Sequence, residues 1–266
     1  MKIYNLEANE SGNIDLPSQF NEELRLDLIK RAVIVHQLSE RQPYGSHPEA
    51  GKRHSAKLSR RRRKYRGSYG FGISRVPRKI LSKSGTRFGW QGAVAPGTVG
   101  GRRAHPPKAE KMLEKKLNKK EKAKAVRSAI SATADFSLVK KRGHKIPENY
   151  PFILSSDIEK LEKTRQVKEL LKKLNFTDEL KRAQERKVRA GKGKARSRKY
   201  KAKASILLVV SNDCKLLKSA DNIPGIDIVK INSLNAELLA PGTLPGRAAL
   251  FTEAAIQRME KEQLFM

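Results

Sequence analysis

The chain has 266 residues, 58 of them Lys or Arg against 27 Asp or Glu, for a formal charge of +31. That excess is far beyond what solubility needs and implies a polyanionic partner, with nucleic acid ahead of an anionic membrane surface. No apolar run approaches the roughly 20 residues of a membrane span, no basic amphipathic helix carries a Trp/Phe face, and the start MKIYNLEANESGNIDLP has no apolar signal core.

The single cysteine, Cys214, excludes an internal disulfide and fits a reducing compartment. It follows an apolar run, so a buried or half-buried thiol is expected. Charge is uneven along the chain. Residues 1–40 carry a net −3 and residues 204–266 a net −1, as an ordinary globular protein does. The positive charge sits in 41–111 (+17), in 181–203 (+11) and more thinly in 112–180 (+7). A compact body with two strongly basic appendages follows.

In chain order, Lys2–Asn5 is a strand candidate, Glu10–Asn13 reads as polar turn material, and Ile14–Leu16 is a hairpin return. Phe20, Leu24, Leu28, Ala32 and Val35 recur at helical spacing, which predicts a helix over 21–39, ended by Gln42-Pro43.

The next stretch, Arg41 to Lys111, organises the chain. It holds 19 Lys and Arg and only two acids, Glu49 and Glu110, with many glycines and no sustained period. Such a segment cannot bury enough apolar surface to offset its ordering entropy, so alone it is expected to be disordered. Yet Tyr65, Tyr69, Phe71, Phe88 and Trp90 sit among the charges. Arginine binds phosphate bidentately, aromatics stack on bases, and glycine lets the backbone approach a polyanion. The reading is a long extension that folds inside structured RNA. The alternative is a solvated loop with a nuclear-import signal at Arg60–Lys64. Within the extension, Leu58–Tyr65 is a short-helix candidate, Gly67–Gly72 a turn, Val76-Pro77-Arg78 extended, and His105-Pro106-Pro107 a stiff exit.

A second helix starts at Asn118 with Glu121 at the capping-box spacing, its apolar face running Ala125, Val126, Ala129, Ile130, Thr133 and Ala134. Lys140–His144 is turn-like, Phe152–Leu154 a strand, and helices are expected from Thr164 to Leu174 and from Thr177 or Asp178 to Val188. The second basic run covers 188–203 and breaks into Ala204–Ser211, the clearest strand, whose continuous apolar character implies burial on both faces. Ile226–Ile231 and Ala248–Phe251 are strands; Ser233 is expected to cap Leu234–Leu239, and Thr252 opens the terminal helix. The fold class expected is α/β: a mostly parallel sheet flanked by helices, with a long non-globular basic loop inserted after the first long helix.

No catalytic constellation stands out. His47 and His54 lie seven apart with no cysteine near them, which argues against zinc. Ala190–Lys194 has the composition of a phosphate cradle but lacks the nucleotide-loop spacing and precedes a strand; it suits polymer phosphates. Glu22-Glu23 and Asp178-Glu179 are read as first-turn carboxylates favouring helix dipoles.

The stretches PYGSHPEAGKR, SRVPR, APGTVGGRRAHPPK, KEKAKAVRSAISATAD, LVKKRGH, RAGKGKARSRKYKAKASILLVVS and LAPGTLPGRAALFTEAA together resemble the universal L-four family of large-subunit ribosomal proteins, across essentially the whole chain. Eukaryotic members usually carry a long basic C-terminal extension, and this sequence stops at Met266, so the archaeal form is expected.

The resemblance implies a globular α/β body over 1–40 and 112–266 on the outer face of the large subunit. It also implies an rRNA-penetrating loop over 41–111 that reaches the peptide exit tunnel wall. It implies a structural, non-enzymatic and cytoplasmic role that supports subunit assembly. The partners implied are large-subunit rRNA, neighbouring ribosomal proteins and a nascent peptide near the loop tip, with no membrane, no small-molecule substrate, no cofactor of its own, and structural Mg2+ only through rRNA. The expected rRNA-binding residues are Arg53, Arg60, Arg61, Arg62, Arg63, Lys64, Arg66, Arg75, Arg78, Arg87, Trp90, Arg102, Arg103, His105 and Lys108 in the loop, and Lys192, Lys194, Arg196, Arg198 and Lys199 in the second run. The expected tip, near Tyr69–Lys79, presents Tyr69, Gly70, Phe71, Gly72, Arg75 and Arg78. Two other functions fit the charge: an RNA-modifying enzyme with a basic arm, and a free RNA-binding or chaperone module. The first would need a pocket at the carboxyl ends of strands such as 205–211, and no cofactor motif supports it.

Overall fold

The computed structural model describes all of residues 1–266. The chain divides into two compact units, Met1–Glu40 with Glu114–Met266, and Arg41–Leu113.

The first unit is mixed α/β. Its best-buried strand is Leu207–Val210, flanked in parallel by Asp227–Lys230 on one side and Ala249–Phe251 on the other. Alternate residues of these strands enter different cores. Leu207, Val209, Ala249 and Phe251 pack with the helices Leu26–Ser39, Lys119–Ala134 and Glu253–Lys261. Leu208, Val210 and Leu250 pack with Thr164–Lys173, Thr177–Gln184 and Leu216–Asp221. The period-2 geometry of a strand thus converts one continuous apolar run into two cores, one on each face. Truncating a side chain such as Leu207 (fully buried) should cost about 2–5 kcal/mol.

A second small sheet joins Glu10–Asn13, Lys2–Tyr4 and Ile153–Leu154. It alternates likewise, with Ile3 and Ile153 in one core and Tyr4 and Leu154 in the other. A parallel bridge from Leu154 to Thr252 links it to the first. The hairpin return is therefore the polar Glu10–Asn13, not Ile14–Leu16. An exposed edge strand needs no apolar side chains, and Lys2 Nζ donates to Glu10 across it at 2.5 Å.

Several boundaries move. The first long helix begins at Leu26, after a 3-10 turn at Ser18–Asn21, so Glu22 and Glu23 are not in its first turn. Glu22 instead accepts from Arg127 Nε at 2.7 Å. Asn118 precedes its helix without capping it, and Glu121 faces Arg31 at 3.6 Å. The helix after Thr177 stops at Gln184 rather than Val188. Asn235, not Ser233, caps Ala236–Leu239, its Oδ1 accepting from Leu238 N at 2.8 Å. Thr252 caps the last helix as expected.

The second unit has its own antiparallel sheet, and in this the chain departs from a loop without secondary structure. Arg78–Ser84 pairs with Arg87–Gly92 around the Gly85 turn, and Ala56–Lys57 adds a short third strand. Leu58–Tyr65 is not helical. Helix would stack Arg60, Arg61, Arg62, Arg63 and Lys64 at repelling i,i+3 and i,i+4 positions. The arms 45–51 and 101–109 run in contact, with Ser46 N donating to Pro107 O at 3.0 Å. Glycine makes this approach possible: a Cβ on Gly51 (φ +76) would lie 2.5 Å from the Arg102 backbone, and one on Gly45 would collide with Ala109 N.

Candidate nucleic-acid interface

Every ion pair in the chain lies in the first unit; none involves a residue from 41 to 113. The basic residues from Arg186 to Lys201 are equally without carboxylate partners, although Lys203 beside them pairs with Glu185 at 2.5 Å. Of the expected RNA-binding side chains, Arg53, Arg60, Arg61, Arg62, Arg63, Lys64, Arg75, Arg87, Arg103, His105, Lys108, Lys192, Lys194, Arg196, Arg198 and Lys199 are exposed. Arg66, Arg78, Trp90 and Arg102 are half-buried. An exposed cation with no acid beside it keeps its full charge for a phosphate.

The second run is a hairpin. Lys187–Val188 pairs with Tyr200–Lys201, and a 3-10 turn over Lys192–Arg196 closes the end. Arg189, though exposed, donates from Nε to Arg198 O at 3.2 Å, which ties the two arms together. Lys192, Lys194, Arg196, Arg198 and Lys199 are therefore presented from one short, braced element.

In the second unit, the cations are interleaved with aromatic faces. Phe88 stacks on Trp90 at 5.5 Å, and Tyr65 meets the Phe88 edge at 5.1 Å. The Arg66 guanidinium lies 5.6 Å from the Tyr65 ring, Arg75 lies 4.4 Å from Tyr69, and Lys83 lies 5.5 Å from Tyr65. Arg78 differs from its neighbours. It sits over Trp90 at 5.3 Å and donates to Ser74 O and to Val76 O, so it braces the loop from within. Tyr65, Phe88 and Lys83 were not among the expected site residues. The sequence does mark Tyr65 and Phe88 as aromatics among the charges, and the alternation in RFGWQG puts Phe88 on one strand face with Trp90; nothing in the sequence singles out Lys83. Within the expected tip, Gly70 and Gly72 both have positive φ and Phe71 is exposed; Gly85 marks a second turn, at the end of the hairpin.

The buried ionisable side chains Glu179 and His144 of the first unit are hydrogen-bonded to each other. Glu179 accepts from His144 Nδ1 (2.7 Å), Lys145 N (2.9 Å), Ser205 Oγ (2.8 Å) and Arg182 (2.6 Å). Burial disfavours its charge, but these donors outweigh that and hold the carboxyl well below the usual carboxylate range. Burial pushes His144 below the usual histidine range, against the pull of Glu179. One group of side chains is close enough to share a cation: His36, Glu40 and Glu237, with ligand atoms within 4.8 Å. His36 Nε2 already accepts from Asn235 Nδ2 at 2.9 Å and lies 3.6 Å from Glu40 and 3.8 Å from Glu237. His47 and His54 serve the loop, bonding Arg53 (2.8 Å) and Gly100 O (3.0 Å). No helix is long and apolar enough to cross a membrane.

Residues 14–262 match the Ribosomal protein L4/L1 family. The large ribosomal subunit protein uL4 of Nanoarchaeum equitans is 48% identical over 264 residues, covering 99% of this chain and 98% of that protein. The proteins of the same name from Methanococcoides burtonii and Methanocaldococcus jannaschii are 46% and 44% identical, over 97% of this chain and 96% and 97% of theirs. These relatives are ribosomal proteins and not enzymes, and at this identity and coverage the chain belongs to the Ribosomal protein L4/L1 family.

Proposed function

We propose that the chain is a structural constituent of the large ribosomal subunit that binds large-subunit rRNA. Residues 41–111 lie among folded rRNA, reach the wall of the peptide exit tunnel, and support subunit assembly. The observation that carries this reading is the distribution of charge: every ion pair lies in the first unit, and none of the cations in 41–113 or in 186–201 has a carboxylate partner. Each phosphate neutralised releases condensed counterions, which favours association at low salt. The aromatic faces add sequence-tolerant stacking on unpaired bases. Neighbouring ribosomal proteins are the further partners, the nascent peptide passes near the loop turns, and Mg2+ enters only through the rRNA it stabilises. The place of action is the cytoplasmic ribosome.

Sedimentation tests the assignment. After a high-salt wash, the protein should remain at one copy per large subunit. A protein that washes off and spreads over many RNAs would instead be a free RNA-binding module.

A further inference from the structure

Resting on the RNA-binding reading, we propose that a cavity in the 41–113 unit receives a single unpaired nucleobase of the bound RNA. The cavity has a volume of about 510 Å³ and lies between the 63–73 segment and the Phe88–Trp90 strand. That is the size range of small-ligand sites. Tyr65, Tyr69, Phe71, Phe88 and Trp90 line it, five of the six aromatic residues between 41 and 113. Phe71 is 71% exposed at its mouth. Large apolar rings left open to water need a reason, and a flat partner supplies one.

The charges narrow the partner's chemistry. Arg63, Lys64 and Arg66 border the cavity, and no acidic side chain lines it. Arg66 Nε is buried and has no acceptor within the protein. The Arg66 guanidinium has no acceptor inside the protein, and its terminal nitrogens are free to donate to one from outside. The occupant is thus planar, carries acceptors on its edge, and brings negative charge to the rim. A nucleobase with its own phosphate meets all three conditions: ring on ring, base edge to Arg66, phosphate to Arg63 and Lys64.

Trp90 is the only tryptophan of the chain, so its emission reports on this cavity. The full chain is titrated with single-stranded oligoadenylate and with an abasic oligomer of the same length and charge, both end-labelled for anisotropy. Both should bind; only oligoadenylate should quench Trp90. Phe88→Leu and, separately, Phe71→Ser should each weaken oligoadenylate binding about tenfold and leave the abasic oligomer unaffected. Phe71→Ser alters an exposed rim residue, so it reads the cavity even if Phe88→Leu disturbs the hairpin. Equal quenching by both oligomers, or unchanged affinity in Phe71→Ser, overturns the nucleobase site while leaving RNA binding intact. Absence of any anisotropy change with either oligomer overturns the RNA-binding reading itself. Quenching by a glutamate–tyrosine copolymer as deep as by oligoadenylate would assign the cavity to an acidic peptide instead.

Discussion

Glu179 and His144 form a closed pair inside the first unit: Nδ1–H donates to the carboxylate at 2.7 Å, and both side chains are buried. Glu179 stands in the first turn of its helix, where a carboxylate suits the dipole. Its side chain nevertheless turns inward and joins the segment before Ile153–Leu154 to the start of the Leu207–Val210 strand, through His144, Lys145 and Ser205.

The pH dependence follows in sign. Both folded-state values are depressed, His144 by burial and Glu179 by its donors despite burial. The unfolded chain therefore takes up protons first, at about pH 6.5 for His and about 4.3 for Glu. The stabilisation is fully present above those values and declines as pH falls, first through His144 and then through Glu179. Glu179→Gln should lower stability at pH 7 by about 3 kcal/mol, because it leaves Arg182 without its partner, and should flatten the acid limb. Urea midpoints against pH read both effects. An acid limb as steep as that of the parent chain would contradict the assignment.

Arg247 gives a second stability prediction. It is 1% exposed and donates to Ser205 O (2.7 Å), Leu238 O (2.9 Å) and Asp227 Oδ2 (2.5 Å). Asp227→Ala leaves this buried cation without its acid. The cost should be about 2–3 kcal/mol, below that of a fully buried pair because Asp227 is half exposed. Urea unfolding measures it, and a loss under about 0.5 kcal/mol would mean that the carbonyls alone satisfy Arg247.

The second basic run should act through charge alone. Replacing Lys192, Lys194, Arg196, Arg198 and Lys199 together with Gln should leave the unfolding midpoint unchanged, since all five are exposed. The plot of log K against log salt for rRNA binding should become shallower by up to about four units. An unchanged slope would show the run to be merely solvated.

Proteolysis separates the two units. Trypsin should first cut the free chain at Arg60–Lys64, where five exposed basic residues lie outside any strand or helix. Bound rRNA should protect them. Cleavage beginning in the first unit, read by mass spectrometry, would reverse this order of accessibility.

The sequence shows some of this and hides the rest for physical reasons. The Leu207–Val210 strand and the Ala125–Ile130 helix face were legible because burial on a regular element leaves an apolar period. The Arg78–Gly92 hairpin was not, because its faces carry Lys, Ser and Gly, and its pairing rests on backbone bonds and on Phe88 with Trp90. The cationic candidates were legible from charge alone. Arg78 and Arg189 show the limit of that signal, since composition cannot tell an arginine that braces its own loop from one that does not. Glu179 marks the same limit for acids: helix position predicts a dipole role, and only the fold reveals His144 beside it.

Cryo-microscopy of the native large subunit tests the central claim most directly. The expected map has residues 41–113 enclosed by rRNA, with phosphates within reach of Arg60–Lys64 and the Gly70–Gly72 or Gly85 turn at the tunnel wall. A map with that segment in solvent, or seated on protein alone, would contradict it.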